Sequence, residues 1–176
     1  YNKLVRSLQG KHFTPEDEDL TIYLRYKHKD EITLESIIES NGFDDAIWAL
    51  QASNVSERDA RLLAVAFARE AQQRMPKASV AALNVAERFA NGEATADELA
   101  KARSDAYDAA WAARTAYDGA WAAVYATDAA RPGARTAYDA AWAAVYAARA
   151  ARGAVRQRQE DLLRQLCQGT APWQTV

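Results

Sequence analysis

Residues 113–126 read ARTAYDGAWAAVYA and residues 134–147 read ARTAYDAAWAAVYA, one segment written twice with Gly119 in the first copy where the second has Ala140. Arg131-Pro132-Gly133 stands between them. Each copy sets three rings four residues apart: Tyr117, Trp121 and Tyr125, then Tyr138, Trp142 and Tyr146. At about 100° per residue a step of four returns each ring to nearly the same side of an α-helix, so each triplet is a slowly drifting stripe. Alanine between the rings is the best helix former and lets neighbouring backbones approach closely. Such a chain is confined to Ala-rich helices turning back at Pro132-Gly133. Position 117 then mirrors 146, 121 mirrors 142 and 125 mirrors 138, so an antiparallel hairpin sets like rings at one height. We read the rings as the seam of that hairpin, and a platform that stacks bases or grips a partner as the alternative. The seam is preferred because core packing accounts for both spacing and mirror symmetry. Tyr107 and Trp111 extend the pattern towards the N-terminus, opposite Arg156 and Arg152. That end is covered by short helices, open for binding, or closed by arginine–aromatic stacking.

Thr95-x-x-Glu98 is a capping box and opens the first long helix. No proline follows before Pro132, and Gly119 weakens the run by only about 1 kcal/mol relative to alanine. The expectation is one helix over residues 96–130, roughly 50 Å long, and a return helix of similar length over residues 134–167. Upstream, Thr14-Pro15-Glu16-Asp17, Thr33 and Ser56 start shorter helices, while Asn41-Gly42, Pro76 and Asn91-Gly92 stop them. No strand pattern occurs. The expected fold is all-α: a helical bundle with a long Ala-rich antiparallel hairpin, covered in part by several short N-terminal helices. Residues 1–92 form the short-helix subdomain, residues 93–168 the hairpin packed with it as one domain, and residues 169–176 a tail carrying Trp173.

The formal charge of −2 over 176 residues supplies no whole-molecule attraction to nucleic acid or anionic membrane. The single cysteine, Cys167, excludes an internal disulfide and fits a reducing cytoplasm. The apolar stretches fall short of the ~20 residues that span a bilayer, so a cytoplasmic protein without membrane contact is expected. Charge is uneven, however: residues 1–60 hold seven Lys/Arg against twelve Asp/Glu. Glu16, Asp17, Glu18, Asp44 and Asp45 cluster at helix starts and form a candidate contact set for a basic partner. Arg149, Arg152 and Arg156 fall on about one face of the last helix, with Arg158 close by, and suit phosphate or an acidic partner. The N-terminal acids equally answer these arginines within the chain. The repeated Arg114–Asp118 and Arg135–Asp139 pairs read as a solvated face. Catalysis finds little support. His12 and His28 lack metal-ligand spacing, the adjacent Asp44 and Asp45 point about 100° apart on a helix, and Cys167 has no partner signature. No enzyme activity, cofactor or metal site is expected.

The stretch containing Trp48 and Leu50, the AFAREAQQRMP segment at residues 66–76, and the ANGEATADEL entry at residues 90–99 lead into an Ala-rich tail with interleaved Trp. In these features the chain resembles the alanine-rich immunity proteins of bacterial polymorphic toxin systems, and related proteins of bacteria and their phages. The resemblance implies an all-α, non-enzymatic protein that binds and neutralises another protein, a toxin or a host defence effector. It assigns no individual functional residue. Two readings from other classes stand beside it: a nucleic-acid-binding protein using Arg149, Arg152, Arg156 and Arg158, and a structural, self-assembling helical protein. Homo-oligomerisation stays open.

Overall fold

The computed structural model describes residues 33–50, 53–113, 116–131, 136–151 and 155–174, and over these the chain is a helical bundle without a strand. Its helices are α1 (Leu34–Asn41), α2 (Phe43–Ala49), α3 (Glu57–Arg69), α4 (Lys77–Ala90), α5 (Ala96–Ala112), α6 (Tyr117–Ala130), α7 (Thr136–Ala150) and α8 (Arg156–Cys167), with a 3-10 turn at Gln72–Arg74. The helix read from Thr14, the acids Glu16, Asp17 and Glu18, and both histidines lie outside the described residues. So do Arg114, Pro132-Gly133, Arg135 and Arg152.

Side-chain caps start the helices where Ser and Thr stand. Thr33 Oγ1 accepts from the Ser36 amide at 3.1 Å and Ser56 Oγ from the Asp59 amide at 3.0 Å. At α5 the box is reciprocal: Thr95 Oγ1 accepts from Glu98 N at 3.2 Å, while Thr95 N donates to Glu98 Oε2 at 2.7 Å. The Thr95 amide, and after it the Thr95 side chain, hold the Glu98 carboxyl below its ordinary pKa.

The single helix expected over residues 96–130 is instead two. Ala113 is extended (φ −76°, ψ 112°) and α6 begins at Tyr117. Local propensity favours continuing, but most helical stability in a folded protein comes from burying a face. Folding back lets α5 lie antiparallel against α6, with Arg103 bonded to Asp128 and both Tyr107 and Trp111 against Trp121. In one continuous helix Trp111 and Trp121 stand about 15 Å apart along the axis. The return helix is likewise divided, into α7 and α8. Gln159, fully buried, donates from Nε2 to the Ala144 carbonyl at 2.9 Å. Leu163 and Leu166 join Ile38, Phe43, Ile47 and Phe67 in a core that a straight helix does not reach, and Trp173 packs onto the same core.

Helix α6 lies at the centre, between α5 and α7, with α3 and α4 behind it. From residue 119 to residue 130 every position is buried except Trp121 and Tyr125. The core behind α6 joins Val65, Leu83 and Leu99 to Ala122, Ala123, Ala126, Ala143 and Ala147. Small residues therefore carry the helix contacts. At one point even a methyl would be tight: a Cβ on Gly119 would lie 3.2 Å from the Arg74 carbonyl oxygen and 3.3 Å from Met75 Cγ. Ala140, its counterpart, instead packs with Ala64 and Ala129. Among the described residues no helix is long and apolar enough to cross a membrane.

Candidate functional site

Because alanines occupy the helix contacts, the large rings lie on the other side of the α5–α6–α7 row. Trp121 is the hub, with ring centroids 5.5 Å from Tyr107, 5.8 Å from Trp111, 6.0 Å from Tyr117, 6.1 Å from Tyr125 and 6.3 Å from Tyr146. Tyr125 stacks on Trp142 at 5.9 Å and on Tyr146 at 5.3 Å, with interplanar angles of 23° and 19°. Tyr138 meets Trp142 edge-on at 6.3 Å. None of the eight rings is fully buried, and at one corner Trp111 is 72% and Tyr117 43% exposed.

The expected seam needs correcting in part. The rings of α6 and α7 do meet across those two helices, but they line the partly exposed front of the contact as a wall, while alanines fill its buried side. Ring contacts between α6 and α7 include Trp121–Tyr146, Tyr125–Trp142 and Tyr125–Tyr146, about one helical turn from the expected pairing of 117 with 146, 121 with 142 and 125 with 138. The mirror centre of the repeat falls between positions 131 and 132. The observed pairs Trp121–Tyr146 and Tyr125–Trp142 are instead centred between positions 133 and 134.

Arginines border the wall. The Arg103 guanidinium lies 5.0 Å from the Tyr107 ring and that of Arg149 5.2 Å from the Tyr146 ring. Arg103 also donates to Asp128, which lies 3.2 Å from Arg131 Nε and is 9% exposed at its side chain. That hydrogen bond, against the opposing effect of burial, raises the Arg103 pKa, and the charges of Asp128 and Asp139 add to it. Burial, then the neighbouring phenols, pushes Tyr125 up to about 12. The indole N–H groups of Trp121 and Trp142 are buried and find no acceptor among the described residues.

Of the arginines singled out from sequence, Arg149, Arg156 and Arg158 are described, and they face different groups. Arg149 belongs to the ring wall. Arg156 lies 3.2 Å from Asp44 Oδ1 and 4.8 Å from the Phe43 ring, and Arg158 bonds Glu70. Arg149 is set apart by lying on α7, whereas Arg156 and Arg158, two residues apart on α8, point to opposite sides of that helix. Asp44 keeps 72% of its side chain exposed despite its ion pair, whereas Asp45 has one buried carboxylate oxygen with no partner among the described residues. Cys167 lines an open hollow of about 820 Å³ together with Thr33, Glu35, Ser56 and Asp59. Burial, then the Glu35 charge, raises its thiol pKa, the reverse of what an activated nucleophile needs.

A signal for the wall was present in the sequence. Residues 106–113 read AYDAAWAA, a third copy of the AYDGAWAA at 116–123 and the AYDAAWAA at 137–144. The step from Trp111 to Tyr117 is six residues, which places the second stripe about 240° round a continuous helix from the first. Only a break brings both stripes to one surface.

Comparison of the chain with protein-family models, curated proteins and solved structures gives no match.

Proposed function

We propose that this chain is a non-enzymatic binding protein that neutralises another protein by covering it, and that it docks through the ring wall at the Trp111–Tyr117 corner. One observation carries the reading: a tryptophan 72% exposed at the edge of a packed ring network. Trp, Tyr and Arg are the residue types enriched at binding hot spots, and here Trp111, Tyr117 and Arg149 surround one hub. The rings are held by their neighbours and lose little freedom on binding. Neutralising a toxin or a defence effector is the activity implied by the sequence resemblance, and a preformed surface suits it. The nucleic-acid reading draws less support, since Arg156 and Arg158 each face a carboxylate of the chain.

Affinity capture from the organism that encodes the chain, run in parallel with wild type and Trp111→Ser, tests the proposal. A protein retained by wild type, lost by the variant and inhibited in its own activity assay is the expected result. Equal retention by both proteins removes the corner from the interface. Retention of nucleic acid alone overturns the reading.

A further inference from the structure

Asp108 on α5 and Arg149 on α7 are both exposed, and neither makes an ion pair among the described residues. Since α5 and α7 flank α6, this acid and this base stand on opposite sides of the exposed rings. Their heights agree. Asp108 lies between Tyr107 and Trp111, which both touch Trp121; Arg149 is almost a turn beyond Tyr146, which touches Trp121 and Tyr125. With helices α5 and α7 both antiparallel to α6, that places Asp108 and Arg149 within about one turn of the same level. We infer that this corner closes on a second copy of the chain about a two-fold axis running along α6. Asp108 of each copy then faces Arg149 of the other.

Such an axis lays α5 of one copy over α7 of its partner. A two-fold interface must be self-complementary, each contact occurring twice. One charge of each sign on either side of an apolar centre meets that condition, whereas a patch of a single sign repels its own copy. Trp111 and Tyr117 supply the apolar centre, and the ring over which Arg149 lies holds its guanidinium in place. The interface uses the rings assigned above to a partner protein, so the two compete, but the inference does not depend on that assignment.

Sedimentation equilibrium of the full chain alone, from about 1 to 100 μM, tests it. The wild type is expected to move from monomer to dimer across that range, and Trp111→Ser to remain monomeric with an unchanged circular dichroism spectrum. Arg149→Asp weakens association about tenfold or more by opposing Asp108 with a like charge, and Asp108→Arg in that background restores it. A wild type that stays monomeric to the highest concentration overturns the inference while leaving the partner reading intact. So does a charge-swapped double variant that associates no better than Arg149→Asp alone.

Discussion

Gly119 faces the Arg74 carbonyl, and its counterpart Ala140 fills a small space beside Ala64 and Ala129. The one difference between two otherwise identical segments is therefore set by what each packs against. Gly119→Ala gains about 1 kcal/mol of helix propensity but crowds a backbone oxygen, which must shift by a few tenths of an ångström, at a cost of about 1–3 kcal/mol. The variant is expected to lose about 1 kcal/mol net in urea unfolding. The reverse change, Ala140→Gly, is also destabilising, through propensity and a lost methyl. A more stable Gly119→Ala protein shows instead that the Gln72–Arg74 turn yields. Tyr125 makes a second prediction at this scale. Its phenol titrates near 10 when unfolded and at about 12 in the fold. The folded state thus keeps a proton that the unfolded chain releases. The stability due to Tyr125 is complete below pH 10 and declines as pH climbs towards 12. Absorbance titration of the phenolates should show one late tyrosine, and Tyr125→Phe should remove it and flatten the alkaline loss of stability.

Among the elements, start signals were legible and interruptions were not. Thr33, Ser56 and Thr95 cap helices because a hydroxyl at an N-terminus has one dominant use: satisfying an amide two or three residues ahead. The break after Ala112 has no comparable local cause. Alanines flank it, and its reason lies ten residues away in the contact of Trp111 with Trp121. The division between α7 and α8 follows from Gln159 reaching Ala144, a contact that periodicity does not encode. As a consequence Arg149 is parted from Arg156 and Arg158, and the three face different partners. The aromatic residues of the wall were all visible in sequence, but their spacing alone did not say which side of the helices they occupied. That choice was made by alanine, which permits backbones to approach and so moves bulk to the outside. The α5–α6 pairing itself is testable at its polar contact. Asp128→Ala strands Arg103 against a partly buried surface and should cost about 2 kcal/mol, the range for hydrogen bonds to charged groups. A double-mutant cycle with Arg103→Ala should return a coupling above about 1 kcal/mol. Additive losses would detach the pair from the packing of these helices.

At the scale of the whole molecule, two walls share the work. Alanines of α6 and α7, set against α3 and α4, fill the buried contacts; the rings of α5, α6 and α7 line the partly exposed side, where Trp111 and Tyr117 are the most exposed. Each wall answers differently to substitution. Ala126→Leu places extra volume where nothing can move and should cost on the order of 1–3 kcal/mol, since Ala126 is fully buried. Trp111, by contrast, contributes mainly an edge contact with Trp121, in the range of about 0.5–1.5 kcal/mol. The unfolding free energy of Trp111→Ala, measured in denaturant on monomeric protein, is the most direct test of this division. A loss no greater than about 1.5 kcal/mol, with the helical spectrum unchanged, is the expected result. A loss of about 3–5 kcal/mol, as for a tryptophan removed from a core, would show that the rings are part of what holds the fold together and contradict the account.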